Sequence, residues 1–294
     1  MNVPIPRSRS VLVTGCSSGI GAATAHRLRN AGWQVFPTAR KPADLEALRN
    51  DGFSPVALDL ADPASVARAA EDVTARSGGT LGALVNNAGF CQGGALEDLS
   101  RDTLRAQFEA NVFGLHDLTC ALLPVFRKQG QGRIVHVSSV LGRMSTPMLG
   151  AYCASKFAME ALADALRIEL WGSGIWVALI EPGAILTRFR ANAAEALAQS
   201  VQGKPSAFAG VYDREIERRR RQVKKADFFT RPPEEVALRI QHALESPRPR
   251  RRYPVTPSAY LVDFAVRFIP QAWTDRLLAR RVPPRTHPTE ETVP

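Results

Sequence analysis

The chain has 294 residues, 45% of them hydrophobic, with 38 Lys and Arg against 28 Asp and Glu and a formal charge of +10. That length suits one large α/β domain with a sizeable core, and no run of about eighteen apolar residues exists to cross a membrane as a helix. The N-terminus, with Pro4, Pro6, Arg7 and Arg9, has no apolar stretch of the secretory kind. The four cysteines, Cys16, Cys91, Cys120 and Cys153, have neither metal-type spacing nor a paired pattern, which points to a reducing cytoplasm.

Residues 9–14 form a short, largely apolar run followed by glycine, the pattern of a buried parallel strand. A helix is predicted over 20–31, a strand over 34–38, a helix over 43–50 and a strand over 54–58. Pro63 opens the next helix, as proline does at a first helical turn. A fourth strand is expected at 83–86, two helices within 101–129, and a fifth strand at 133–137. A long helix follows over 150–172, then a sixth strand over 175–180. Alternating strands and helices with apolar strands predict a doubly wound, Rossmann-type parallel sheet. After Thr187 the pattern loosens. Residues 188–231 read as a partly helical insertion within a unit spanning 1–255, with a helix at 232–245 and a last strand at 251–255. Residues 256–294 read as a C-terminal extension of amphipathic helices and a polar, disordered end.

The surplus charge is local, at Arg218–Arg221, Lys224–Lys225, Arg248 and Arg250–Arg252. Such runs can bind nucleic acid or anionic lipid. Glu215, Glu217, Glu234 and Glu235 interleave, and no nucleic-acid module surrounds them. A solvated helix face is therefore expected, and no nucleic-acid partner. The amphipathic stretches after Pro257 could rest on a membrane surface or dock on the protein's own core.

Tyr152 and Lys156 stand four apart, so on a helix they share one face. A phenol titrates near about 10. A cation about 4 Å away at an effective dielectric near 20 would favour the phenolate by about 4 kcal/mol, roughly three pKa units. That would suit Tyr152 to exchange a proton with a carbonyl or alcohol oxygen near neutrality. The first strand ends in Thr14-Gly15-Cys16-Ser17-Ser18-Gly19-Ile20-Gly21. Glycines there let a backbone approach a pyrophosphate at a helix N-terminus, so a dinucleotide site is expected at Gly15, Ser17, Ser18, Gly19, Ile20 and Gly21. His26, His116, His136 and His242 have no ligand-like spacing, and no metal site is predicted.

With Asn86-Asn87-Ala88-Gly89, Asn111, Ser139, Pro182-Gly183 and Thr187, these motifs fall in an order that resembles the short-chain dehydrogenase/reductase family over residues 9–190. The stretch 152–162 and Cys16 look most like its hydroxysteroid and retinol dehydrogenase branch. The resemblance implies that Tyr152 is the general acid and base and that Lys156 lowers its pKa and holds the nicotinamide ribose. Ser139 would hydrogen-bond the substrate oxygen, the thirteen-residue offset to Tyr152 selecting it over Ser138. Asn111 would anchor a water leading to Lys156, although a helix-capping or helix-bending amide is the plainer alternative. Asn87 would contact the adenosine side and Asp59 the adenine, with helix capping near Pro63 as the alternative for Asp59. Pro182, Gly183 and Thr187 would meet the carboxamide and phosphates, and Glu181 would be structural.

At the end of the second strand, where an acidic residue would bind ribose hydroxyls, the chain has Thr38-Ala39-Arg40-Lys41. A guanidinium suits phosphate, so NADP(H) is predicted, with Arg40 as the main contact and Ser18 assisting. The substrate is expected to be a lipophilic ketone, aldehyde or alcohol, from the apolar Phe90, Met144, Met148, Leu149, Phe189 and Phe208. A homodimer or homotetramer through 111–129 and 150–172 follows from the resemblance. The competing class is a non-catalytic NADP(H) sensor on the same fold, which could dispense with the tyrosine or the lysine. Both are present.

Overall fold

The computed structural model describes residues 3–201, 205–222 and 229–280. Lys224, Lys225 and the polar end from Arg281 lie outside them. Seven parallel strands form one sheet in the order β3-β2-β1-β4-β5-β6-β9. They are β1 (Ser10–Val13), β2 (Gln34–Ala39), β3 (Val56–Ala57), β4 (Ala83–Asn86), β5 (Gly132–Val137), β6 (Ile175–Glu181) and β9 (Arg252–Pro254). Helices α1 (Gly19–Asn30), α2 (Pro42–Asn50) and α9 (Pro233–Glu245) cover one face. Helices α3 (Pro63–Arg76), α5 (Gly114–Gln129) and α6 (Gly150–Glu169) cover the other.

The strands are mostly apolar because both of their faces are buried, although β5 also buries Arg133 and His136. Side chains alternate across a strand, so Val11 and Val13 join one core while Leu12 joins the other. Val85 and Leu84 divide in the same way, as do Ile180 and Leu179. The doubly wound sheet expected from the sequence is therefore the fold. Strand order reverses between β1 and β4, and this opens a crevice at their carboxyl ends.

Three local features refine the expected pattern. The third strand shrinks to Val56–Ala57, because Pro55 has no N–H and the carbonyls of Ser54 and Pro55 accept bonds from Arg76. The two helices within 101–129 are α4 (Arg101–Phe108) and α5, joined without a break by a π-helical turn, Glu109–Phe113. The described residues of the partly helical segment after Thr187 hold α7 (Phe189–Val201) and α8 (Ala209–Gln222), flanked by a two-residue parallel ladder between β7 (Ala184–Ile185) and β8 (Thr230–Arg231).

The C-terminal stretches form α10 (Pro257–Phe268), capped by Thr256, and α11 (Gln271–Ala279). Among the described residues, no helix is long and apolar enough to cross a membrane.

Candidate active site

The glycine loop is held from below. The buried Thr14 hydroxyl accepts from the N–H groups of Asn87 and Ala88, each at 2.9 Å. Asn87 Nδ2 donates back to the carbonyls of Thr14, at 2.9 Å, and Gly15, at 3.2 Å. The loop therefore rests on the end of β4, and Asn87 spends its amide on fixing it. Gly15 and Gly19 take φ of 73° and 60°, the left-handed region that suits glycine. A Cβ at Gly21 would stand 2.1 Å from the Gly15 carbonyl oxygen, and one at Gly19 would stand 2.9 Å from Thr187 Cγ2. These three positions make a cradle that side chains would fill. It sits at the start of α1, where backbone N–H groups lack helical partners. Ser18 stands at the N-cap without a side-chain capping bond, Ser17 is exposed, and Ile20 packs its side chain partly into the core. The cradle and its helix terminus fit a dinucleotide pyrophosphate.

Arg40 and Asp59 come from neighbouring strand ends, and Arg40 Nη1 lies 3.8 Å from Asp59 Oδ2. The Arg40 side chain is 66% exposed, so its guanidinium faces solvent at the rim of the crevice. Asp59 Oδ1 accepts from Ala61 N at 3.1 Å, whereas the cap of α3 is Asp62. On the opposite rim Gly183 is closed in by Thr256 and Ser258, whose hydroxyls would each be 2.3 Å from an added Cβ.

Ser139, Tyr152 and Lys156 meet at the carboxyl end of β5. Ser139 follows that strand in extended backbone, and its Oγ accepts from Leu141 N at 3.1 Å. The Ser139 hydroxyl lies close enough to the Tyr152 phenol to favour its ionised form. Lys156 Nζ donates to the Val137 carbonyl at 2.9 Å and stands 5.8 Å from the Tyr152 ring centroid. All three residues are largely buried.

Burial sets the electrostatics. It pushes the Tyr152 phenol above its ordinary value, the nearby Cys91 adds to this, and the Ser139 hydroxyl opposes it. Burial also pulls Lys156 down to about 8, against the attraction of Glu160. The sequence argument expected the lysine charge to win at the phenol. Here Nζ is anchored on a strand carbonyl, and burial raises the phenol instead.

Asn111 lies in the π-helical turn and is fully buried. Its Oδ1 accepts from Phe90 N at 3.0 Å, and its Nδ2 donates to Phe90 O at 3.0 Å and Ser155 Oγ at 3.2 Å. It therefore ties the loop after β4 to α6. Gln107 grips the same loop, accepting from Gln92 N at 2.7 Å and donating to Phe90 O at 2.9 Å. Sequence reasoning missed Gln107, although two amides at i and i+4 were its visible signal.

Arg143 was also missed. It follows the Ser139 turn and pairs with Glu181 at 3.4 Å and Asp263 at 3.5 Å, linking that turn to the end of β6 and to α10. Glu181 is structural, as expected: with Glu160 and Asp164 it also binds Arg252 of β9.

The roof above Tyr152 is apolar. Phe189 of α7 stands with its ring centroid 5.7 Å from that of Tyr152. Cys91 and Ala193 pack on Tyr152, with Leu141 and Leu149 against them. Met148 and Phe208 belong to a second cluster with Ala95, Leu197 and Tyr212. Met148 takes φ of 64°, which is strained for a side chain with a Cβ.

This fold and this constellation place the chain in the short-chain dehydrogenase family, whose model matches residues 9–198. The chain belongs to that family and is an oxidoreductase. It is 44% identical to the uncharacterized oxidoreductase YbbO of Escherichia coli strain K12 over 92% of this chain and 94% of that one. It is 33% identical to an NADPH-dependent 3-dehydrocapnine reductase of Ornithobacterium rhinotracheale, over 92% and 95%. It is 32% identical to retinol dehydrogenase 7 of Mus musculus, over 92% and 88%.

Proposed function

We propose that this chain is an NADP(H)-dependent oxidoreductase that interconverts an alcohol and a carbonyl on a lipophilic ketone or aldehyde, with Tyr152 as the proton donor and acceptor. The observation that carries the reading is the meeting of Ser139, Tyr152 and Lys156 beneath an apolar roof, beside the glycine cradle. When bound, NADPH supplies the hydride.

In reduction, the Tyr152 phenol gives its proton to the carbonyl oxygen while the Ser139 hydroxyl donates to the same oxygen as charge develops there. A lysine of pKa about 8 is mostly charged at neutrality, so Lys156 stabilises the tyrosinate left behind. It also serves as a donor to ribose hydroxyls. Asn111 acts from its π-helical turn, a helix irregularity common at functional sites, holding the water through which Lys156 is reprotonated.

Gly15, Ser17, Ser18, Gly19, Ile20 and Gly21 take the pyrophosphate. Asp59 takes the adenine, and Asn87 shapes the adenosine side by holding the glycine loop. Pro182, Gly183 and Thr187 take the nicotinamide end. Arg40, assisted by Ser18, takes the 2′-phosphate. Its exposed pair with Asp59 is worth at most about 1 kcal/mol, whereas hydrogen bonds from phosphate to a guanidinium are worth about 1.5–3 kcal/mol each. The phosphate therefore wins the guanidinium. The NADPH-dependent relative supports the same choice.

The roof of Phe189, Leu141, Leu149 and Met148 supports an apolar substrate, as do relatives named for a capnine precursor and for retinol. Exposed Phe157, Leu162 and Ile168 on α6 and Phe113 before α5 support assembly as a homodimer or homotetramer through those helices. The reading places the enzyme in a reducing cytoplasm.

A screen of ketones, steroids, retinoids and aliphatic aldehydes, followed by NADPH absorbance, tests the proposal. Turnover should rise with the apolar content of the carbonyl compound. Turnover confined to small polar carbonyls would contradict the substrate class, and none at all would contradict the enzyme.

A further inference from the structure

Helices α10 and α11 reverse the usual arrangement of a surface helix, which buries its large apolar side chains. In α10 the buried residues are Ala259 and Ala265, while Leu261, Phe264 and Phe268 are 59%, 55% and 69% exposed. Phe264 and Phe268 stack on one another at 5.0 Å between centroids, one turn apart on the outer face. In α11, Trp273 and Leu277 are 70% and 65% exposed. Two consecutive helices thus each present an apolar ridge, and a ridge of this kind marks an interaction surface.

Its place is fixed by three contacts. β6 and β9 are parallel neighbours, so α10 leaves β9 at the same end of the sheet as the loop after β6. Thr256 and Ser258 pack on Gly183, and Asp263 pairs with Arg143 just after the Ser139 turn. The inner side of α10 therefore sits at the rim of the crevice mouth, with its apolar ridge turned outward.

We infer that α10 and α11 form an interfacial anchor that lays this mouth against an anionic membrane surface, through which a lipophilic carbonyl substrate reaches Tyr152. The delivery step rests on the proposed function; the anchoring does not. Charge argues for this occupant. Arg267, Arg276 and Arg280 stand among the ridge residues against Asp263 and the exposed Asp275, a small cationic excess in a chain of net charge +10. Asp263 is turned onto Arg143 and Arg267. Apolar and aromatic side chains with arginines among them match the acyl boundary and headgroup layer of an anionic leaflet. A second copy docked through the same ridge would meet the same small cationic excess and gain nothing from it.

The test uses the full chain and sedimentation with vesicles of phosphatidylcholine alone or with about one third phosphatidylglycerol. Binding is expected to the anionic vesicles, to be weaker at 0.5 M salt because surface charges are then screened, and to be slight on phosphatidylcholine. The double variant Phe264→Ser/Phe268→Ser should lose about tenfold or more in partitioning, since each phenylalanine removed carries a large apolar area. Its turnover of a water-soluble carbonyl compound should match the parent chain and so report an intact fold. Arg276→Glu/Arg280→Glu, which leaves the apolar ridge in place, should remove the preference for anionic vesicles. Failure of the parent chain to bind, or binding unchanged in both variants, would overturn the anchor. So would a variant that merely changes from dimer to monomer in sedimentation velocity while neither protein binds vesicles, which would assign the ridge to a second copy. Vesicle binding needs no turnover, so its failure is distinguishable from failure of the proposed enzyme.

Discussion

The Tyr212 phenol donates to the Asp98 carboxylate, which also accepts from Ser206 at 2.6 Å, and the Tyr212 oxygen accepts from Ala95 N at 3.0 Å. This clasp fastens α8 to the loop after β4. α8 in turn packs on α7, which carries Phe189 and Ala193 against Tyr152. Tyr212→Phe keeps the ring in its cluster but leaves the Ala95 N–H unpaired, a loss of about 1–3 kcal/mol. The substrate KM is expected to rise severalfold, with NADPH affinity unchanged, as steady-state kinetics and cofactor titration would measure. An unaltered KM would show that this roof does not shape the substrate site.

Arg40 governs cofactor choice in this account. Arg40→Ala should lower kcat/KM for NADPH by about ten- to hundredfold, the worth of one or two charged hydrogen bonds, and leave NADH nearly unaffected. Parallel kinetics with both nucleotides check this. Equal efficiency with NADH and NADPH in the parent chain would defeat the assignment.

His136 makes acid stability predictable. Burial first, and then the charge of Lys156, hold its pKa at about 4 against an ordinary 6.5. Between those values the unfolded chain binds a proton that the folded chain does not. The contribution is therefore fully present above pH 6.5 and is lost as pH falls through 4, up to about 3 kcal/mol. Denaturant unfolding of the parent and of His136→Asn should show a pH slope in this window that is steeper in the parent. Parallel slopes would contradict a neutral buried imidazole.

The strands could be read from the sequence because a strand buried on both faces is mostly apolar, as β1, β4 and β6 are. The glycine loop was legible because its glycines answer to backbone geometry alone. The helical spacing placed Tyr152 and Lys156 on one face but could not report depth, and depth sets the direction of both pKa shifts. The π-helical turn at Asn111 interrupts a periodicity that remains helical on either side, so its sequence reads as ordinary helix. Arg143–Asp263 and Asp98–Tyr212 join residues far apart in the chain, and no local pattern encodes such pairs.

Proton transfer at Tyr152 is the claim on which the rest depends. Tyr152→Phe removes one hydroxyl from a buried ring that Phe189, Cys91 and Ala193 continue to pack. The decisive measurement is kcat of this variant with NADPH and an apolar carbonyl substrate, alongside the NADPH dissociation constant. The account predicts a fall in kcat of about 10²–10⁴-fold with cofactor affinity nearly intact. Undiminished turnover in the variant would contradict it.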